Sequence, residues 1–369
     1  MKKTLLIVFV CVMALLLAAG IVWRVNRPPE APTPEGSNEL WLDGKLERDC
    51  PVWNGETYFS LNALARQGGG RLRDIFIPRL ELWGRSVRFS SDKAEAQVDG
   101  VSVPLPAACR YWRGQWYAPE ALLPYIGMQQ LKDSERGRCL YSHVPDPAHI
   151  PTGRDVVILR LHCVSDDIWG EKGLFMSPAK LEAQISEMER MGCSFLTFED
   201  LDRIDKYKKP VFLTFDDGYM DNYTELFPIL QRHQAKATIF LISGHIGWKY
   251  YLTEDMIREM DDSGLVSFQS HTVNHADMNA ASPETREYEA AESQLAISRL
   301  TDKVPFVLSF PRARANDDAM ETVSRYYRYV VIADGKSWVT GTDPLHIPRF
   351  AMPRDIEMDT FRSYFDCYQ

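Results

Sequence analysis

The sequence predicts an α/β fold in which parallel strands alternate with helices, preceded by a smaller α+β module. Three observations predict it. From residue 155 onward, short β-branched apolar runs recur between stretches of helical apolar spacing, the pattern of a parallel sheet or barrel. Between residues 39 and 145 the runs are shorter and broken by turn residues. At 369 residues with 45% hydrophobic content, the chain is long enough for two ordinary domains.

Taken in order, the chain begins with Met1-Lys2-Lys3 and an uncharged, mostly apolar run from Leu5 to Trp23. Lysines before such a run favour a cytoplasmic N-terminus and export of the rest of the chain. Residues 1–25 are read as a transmembrane anchor, since the run exceeds the ~7–15 residues of a signal core. Ala18-Ala19-Gly20 also resembles a cleavage site, and cleavage would make the protein secreted. Residues 26–38 (NRPPEAPTPEGSN) form a Pro-rich, extended linker. The net charge of −9 argues against nucleic acid or an anionic membrane surface as the main partner. The seven cysteines are not spaced as a zinc knuckle or redox pair, so buried free thiols with at most one bridge are expected.

Residues 39–145 contain an internal echo. Gly55, Tyr58, Leu64 and Gly68 recur at the same offsets as Gly114, Tyr117, Leu123 and Gly127. Each copy reads as a turn, a short strand, a helix and a glycine stop. No cluster of His and acids is present, so chemistry is not expected there. The repeat resembles the stalk-like domain first described at the N-terminus of copper amine oxidases, which implies a spacer or a module binding cell wall or a protein partner. Residues 146–154 are a linker, and His143 and His149 near it are read as solvated loop residues.

The catalytic candidate is 155–369. Strands are expected near 156–161, 194–196, 211–215, 237–242, 265–269, 307–310 and 328–332. Ser177-Pro178 and Ser282-Pro283 open helices with a cap followed by Pro. Thr197, Thr253 and Asn316 cap three more, and Asn222 with Glu225 reads as a capping box for a helix to about His233. The short crossovers favour a closed or nearly closed barrel.

Chemistry concentrates at strand ends. The run 211–215 stops at Asp216-Asp217-Gly218, and 265–269 leads into His271 and His275. Strand C-terminal ends carry the sites of α/β folds. Two histidines four apart can share one face of a helical turn. With Asp217 they make a two-imidazole, one-carboxylate set that suits one divalent metal, zinc above all, with an open position for water.

With Thr214-Phe215-Asp216-Asp217-Gly218 and Ser270-His271-Thr272-Val273-Asn274-His275, region 155–369 resembles the polysaccharide deacetylases, the carbohydrate esterase group that shares the NodB homology domain. The resemblance implies a deformed (β/α) barrel and metal-dependent removal of N- or O-acetyl groups from sugars. It implies that Asp217, His271 and His275 bind metal and that Asp216 is the general base. An amine leaves only when protonated, so a general acid is needed. Leu159-Arg160-Leu161-His162-Cys163-Val164 resembles the opening strand of the circularly permuted branch, which includes poly-N-acetylglucosamine deacetylases, and assigns the acid to His162 in preference to His346. The third family segment is altered to Phe310-Pro311-Arg312-Ala313-Arg314, keeping Pro311 and losing a Tyr and a Gly. Pro311 and Arg312 are expected to wall the groove, Asp334 or Arg349 to steer a catalytic side chain, and one of Trp169, Trp248 and Trp338 to stack on a sugar.

The resulting expectation is a membrane-anchored, extracytoplasmic deacetylase of an acetylated polysaccharide such as peptidoglycan or poly-N-acetylglucosamine. The alternatives are an O-acetyl sugar esterase, a catalytically impaired glycan-binding protein, and a hydrolase of small amides.

Overall fold

The structure, a computed structural model, describes residues 28–73, 78–313 and 315–368. Contacts divide the chain into two units, Met1–Leu40 with Glu47–Ile126, and Trp41–Leu46 with Gly127–Gln369. Among the described residues no helix is long and apolar enough to cross a membrane. The anchor expected at 1–25 lies outside the described residues, as does Arg314 of the altered segment. Among the described residues the cysteines are free thiols.

In the first unit the sequence echo becomes a pairing. The first copy forms a strand, Glu56–Ser60, and a helix, Leu61–Gln67; the second forms Gln115–Pro119 and a 3-10 helix, Glu120–Ile126. The two strands pair antiparallel, with Tyr58 opposite Pro119 and Ser60 opposite Tyr117. The second helix winds as 3-10 where an α-helix was expected, and Pro124 inside it removes an amide donor that an α-helix would use. Five short strands between the copies, from Arg71–Arg73 to Val101–Pro104, run as an antiparallel meander.

From Gly127 the second unit continues with a hairpin, Met128–Asp133 and Arg138–His143. His143 ends this hairpin half-buried and bonded to Asp202, not in a solvated loop. The barrel elements come next: β1 (Asp155–Leu161), α1 (Pro178–Arg190), β2 (Ser194–Phe195), β3 (Pro210–Asp217), α2 (Phe227–His233), β4 (Ala237–Leu241), α3 (Glu254–Asp262), β5 (Val266–Ser270), α4 (Pro283–Thr301), β6 (Val307–Ser309), α5 (Asp317–Ser324), β7 (Tyr329–Val331), β8 (Trp338–Val339), β9 (Phe350–Ala351) and α6 (Met358–Ser363). The sheet runs β7-β6-β5-β4-β3-β1-β8, with β2 paired to β3 and β9 to β1. All neighbours from β7 to β1 are parallel; β8 is antiparallel to β1.

No described strand closes this sheet into a full barrel. Instead the segment 347–351 spans the seam: Ile347 bridges to Val331 of β7, and β9 pairs with β1. Arg349 lies between those two contacts.

The strands are apolar on both faces because helices cover one and the barrel interior the other. On β3, Val211, Leu213 and Phe215 pack outward with Leu181, Ile185 and Met188 of α1. Phe212 packs inward with Val156, Ile158, Phe240 and Trp338. Period-2 alternation then directs Thr214 and Asp216 inward, and likewise His162 just past β1.

The caps follow the sequence with two exceptions, the first being Ser177, which sits at the N-cap of α1 but donates its hydroxyl to Asp166 (3.3 Å) and makes no cap bond. Ser282, Thr253 and Asn316 each accept an amide of the first turn, and Thr197 with Asp200 forms a capping box. At Asn222 no capping box forms; residues Asn222–Leu226 wind as a π-helical turn before α2. The buried Asn222 amide donates to the His162 carbonyl (2.9 Å) and to Asp221 (2.9 Å) instead. The extra residue per turn is the local cost of aiming that side chain at the end of β1.

Candidate active site

At the C-terminal mouth of the barrel, Asp216 and Asp217 end β3, His162 follows β1, and His271 follows β5. Alternation alone would turn Asp217 toward the helices. Its backbone is left-handed, with φ +77°, which breaks the alternation and leaves both acids at the same mouth. Gly218 comes next, also at φ +77°, where an added Cβ would meet Leu241 Cδ2 at 2.5 Å; glycine is required there on both counts.

The histidine segment is not the helical turn that its spacing suggested. His271 to His275 run as an irregular loop with Thr272 at φ +66° and His275 at φ +54°. Glu289 of α4 explains how this loop holds. Its buried carboxylate accepts from the Val273 and Asn274 amides (2.8 Å each) and from the Asn274 side chain (2.7 Å). Strained left-handed residues persist where surrounding bonds over-determine them.

Asp217, His271 and His275 come together, with one ligand atom from each inside a 4.8 Å span. His271 Nε2 is 3.4 Å and His275 Nε2 4.0 Å from Asp217 Oδ1. Ligand atoms bonded to zinc at about 2.0–2.2 Å in a tetrahedron lie roughly 3.4 Å apart, so the trio fits a divalent ion. The tautomer fits as well: His271 Nδ1 lies 2.7 Å from the Ser309 carbonyl, so it carries the proton and Nε2 is left as the ligand. Burial pushes the Asp217 carboxyl above its ordinary range and both imidazoles below theirs. A buried carboxylate beside two neutral imidazoles lacks a compensating charge, which a cation supplies. The Tyr219 hydroxyl also donates to Asp217.

Asp216 is held differently. Arg349 Nη1 and Nη2 contact its two oxygens at 2.8 Å each, and both side chains are buried. The same guanidinium donates to Thr214 Oγ1 (3.0 Å) and Ser309 Oγ (2.9 Å). Burial alone would raise the Asp216 carboxyl, but the Arg349 charge and bonds outweigh it and hold the group well below the carboxylate range. Asp216 is therefore ionised at any working pH.

His162 Nε2 lies 4.0 Å from Asp216 Oδ2. Burial pushes the ring down to about 4, with Arg160 and Arg349 adding to the effect against the pull of Asp216. The ring is neutral at neutral pH. His346 is exposed and bonded to Asp343 (2.7 Å).

The other expected residues are more scattered. Pro311 is buried after β6, and Arg312 is exposed at φ +61°, pairing with Asp277 (3.2 Å). Asp334 is exposed and pairs with Lys336 (2.9 Å), so of the two residues expected to steer a catalytic side chain only Arg349 contacts one. Trp169 stacks on Tyr250 (4.5 Å) and meets Phe175 and Tyr219 edge-on. Trp338, one of the three expected to be open to a sugar, is instead 1% exposed within β8.

The sequence reading missed Glu289 and Tyr219. Tyr219 lies two residues past Asp217. Glu289 carried a signal: Arg286, Glu289, Ser293 and Gln294 put polar residues on the buried face of α4, where a helix covering a sheet would ordinarily place apolar ones.

Residues 203–331 match the family model described as polysaccharide deacetylase. A Bacillus subtilis protein classed by name among polysaccharide deacetylases (YxkH) is 29% identical over 201 residues, 53% of this chain and 68% of that protein. The poly-beta-1,6-N-acetyl-D-glucosamine N-deacetylase of Staphylococcus aureus is 25% identical over 202 residues, 50% of this chain and 70% of that protein. Among solved structures, the Streptococcus pyogenes deacetylase PplD in complex with acetate superposes with TM-score 0.54 at 26% identity, covering 58% of this chain and 100% of that one. The second unit therefore carries a polysaccharide deacetylase domain with the NodB-type fold.

Proposed function

We propose that the second unit hydrolyses acetyl groups from an N-acetylglucosamine-containing polysaccharide outside the cytoplasm, releasing acetate. The observation that carries this reading is the division of roles at the end of β3: Asp217 faces two imidazoles while Asp216, one residue earlier, faces Arg349 and His162. A pure ligand site has no use for the second carboxylate.

Zinc or a similar divalent ion, held by Asp217, His271 and His275, would supply the Lewis acidity that polarises the acetyl carbonyl and acidifies water. Asp216, always ionised and oriented by Arg349, accepts the proton of the attacking water. The new C–O bond forms as the carbonyl π electrons move to oxygen. On collapse the C–N bond breaks, and the leaving nitrogen takes a proton. His162 donates it. Because the resting ring is neutral, it first receives the proton that Asp216 removed, across a gap that shortens from 4.0 Å as substrate excludes water. The products are a free amine and acetate, and atoms balance with one water consumed.

Residues 1–25 are proposed as the anchor that places this unit outside the cytoplasm, and the first unit as a module for cell wall or a partner; protease accessibility in intact cells tests the former. The activity is tested by acetate release from chitooligosaccharides, poly-N-acetylglucosamine and an O-acetylated sugar by the purified protein with zinc. Release that is abolished by a chelator and by Asp216→Asn supports the reading. Activity on the O-acetylated sugar alone makes the protein an ester hydrolase, and activity unaffected by Asp216→Asn overturns the assigned roles.

A further inference from the structure

We propose that Trp248 is a pyranose-stacking platform that binds a sugar ring of the polymer beside the reacting unit. The proposal rests on the reading of the site as a polysaccharide deacetylase and names a binding subsite within it. Of the three tryptophans near loops of this unit, Trp338 is core and Trp169 is enclosed by Tyr250, Phe175 and Tyr219. Trp248 is 58% exposed. One of its faces lies on the His245 ring, at 4.3 Å and 20°, and the other is open. A large exposed aromatic held flat by stacking from behind is a rigid surface with little ordering entropy left to lose on binding.

The backbone sets where that surface stands. The Trp248 loop is laced to the turn that carries the two catalytic acids. Leu252 N donates to the Gly218 carbonyl (3.0 Å), Met220 N donates to the Tyr250 carbonyl (2.7 Å), and Tyr219 bridges Tyr251. Tyr250 is kept at φ +72° to make this lacing, a strained backbone of the kind found at ligand clamps. The platform therefore has a fixed offset from Asp217, as a subsite for the next ring of a polymer needs.

The chemistry selects the ligand. A glucosamine-type ring in its chair form carries its substituents equatorially, so each face is a patch of axial C–H groups. Such a face covers an indole and leaves the N-acetyl group at the ring edge, free to reach an adjacent site.

The test compares wild type, Trp248→Ala, Trp248→Phe and Tyr288→Ala on chitotetraose with zinc. Tyr288 is 52% exposed on α4 and serves as the control for loss of a surface aromatic. Trp248→Ala should raise KM about tenfold with kcat little changed, about the worth of one aromatic contact. Trp248→Phe should fall between, and Tyr288→Ala should match wild type. An unchanged KM in Trp248→Ala beside an active wild type overturns the platform and leaves the deacetylase reading standing. A wild type inert on every acetylated glycan overturns the deacetylase reading. Calorimetric binding of chitotetraose then decides the platform: about tenfold weaker binding by Trp248→Ala upholds it, and equal or absent binding by both overturns it.

Discussion

Arg349 grips both oxygens of Asp216, at 2.8 Å each, from the seam that spans the two ends of the sheet. The segment that spans the seam thus also supplies the counter-ion of Asp216. Arg349→Ala leaves a buried carboxylate unpaired, a change that costs roughly 3–5 kcal/mol. Without the guanidinium the Asp216 carboxyl titrates higher, so the acid limb of the pH–rate profile should move to higher pH. Arg349→Lys keeps a charge but not the fork, and should keep more stability than Arg349→Ala while still lowering kcat. Thermal melting and a pH–rate profile of acetate release check this; an acid limb in Arg349→Ala that coincides with that of wild type would show that the guanidinium is not what keeps Asp216 ionised.

Glu289 touches neither metal ligand nor substrate site, yet its carboxylate fixes the amides of Val273 and Asn274. Glu289→Gln turns an N–H group toward donors that need an acceptor. Zinc affinity should fall by about 10–100-fold, as for other residues that orient ligands, with kcat largely restored at saturating zinc. Zinc titration with a competing chelator measures the affinity, and an unchanged dissociation constant refutes the positioning role.

His162 and His346 make a paired comparison. His162 faces Asp216 at 4.0 Å, whereas His346 is exposed against Asp343. His162→Ala should lower kcat by about 10²–10⁴ on an N-acetyl substrate, and by less on an aryl acetate whose leaving group departs unprotonated. His346→Ala should stay within a factor of two or so of wild type, in keeping with an exposed pair of little worth. Steady-state kinetics on both substrates decides it, and the reverse ranking reassigns the acid.

Asp221 offers a test through stability. Burial pushes its carboxyl up to about 6 from the ordinary 3.8, despite bonds from Val164 N and the Asn222 amide. A raised carboxyl favours the folded state below the unfolded value, and that contribution is lost as pH rises through about 6. Asp221→Asn removes the loss. The variant should therefore melt several degrees above wild type at pH 7.5, on the order of 3 kcal/mol of shift at most, and show no such gain at pH 4. Equal gains at both pH values would show that the charge is not the cause.

Much of this was legible in the chain. Helix starts at Ser282, Thr253 and Asn316 were readable because a cap is a local bond between neighbours in sequence. The placing of Asp216, His162 and His271 at the ends of strands was readable, since the residues that stop a strand are its own neighbours. The composition of the trio Asp217, His271 and His275 came from motif and ligand chemistry alone. At Asn222 local reasoning failed, because a buried amide found a distant carbonyl that a cap could not rival.

The sequence alone set the alternation of strands and helices and singled out Asp216, Asp217, His162, His271 and His275 as the candidates for chemistry. The tertiary structure alone decided how those side chains meet. It turned Asp217 through a left-handed backbone so that two adjacent acids serve one mouth. It brought Arg349 across 133 residues to Asp216, made Glu289 the support of a loop on another element, and separated an open Trp248 from an enclosed Trp169 and a buried Trp338. The physical reason is the range of the forces: caps and alternation act between near neighbours, whereas burial of a charge forces a partner from wherever the fold can bring one.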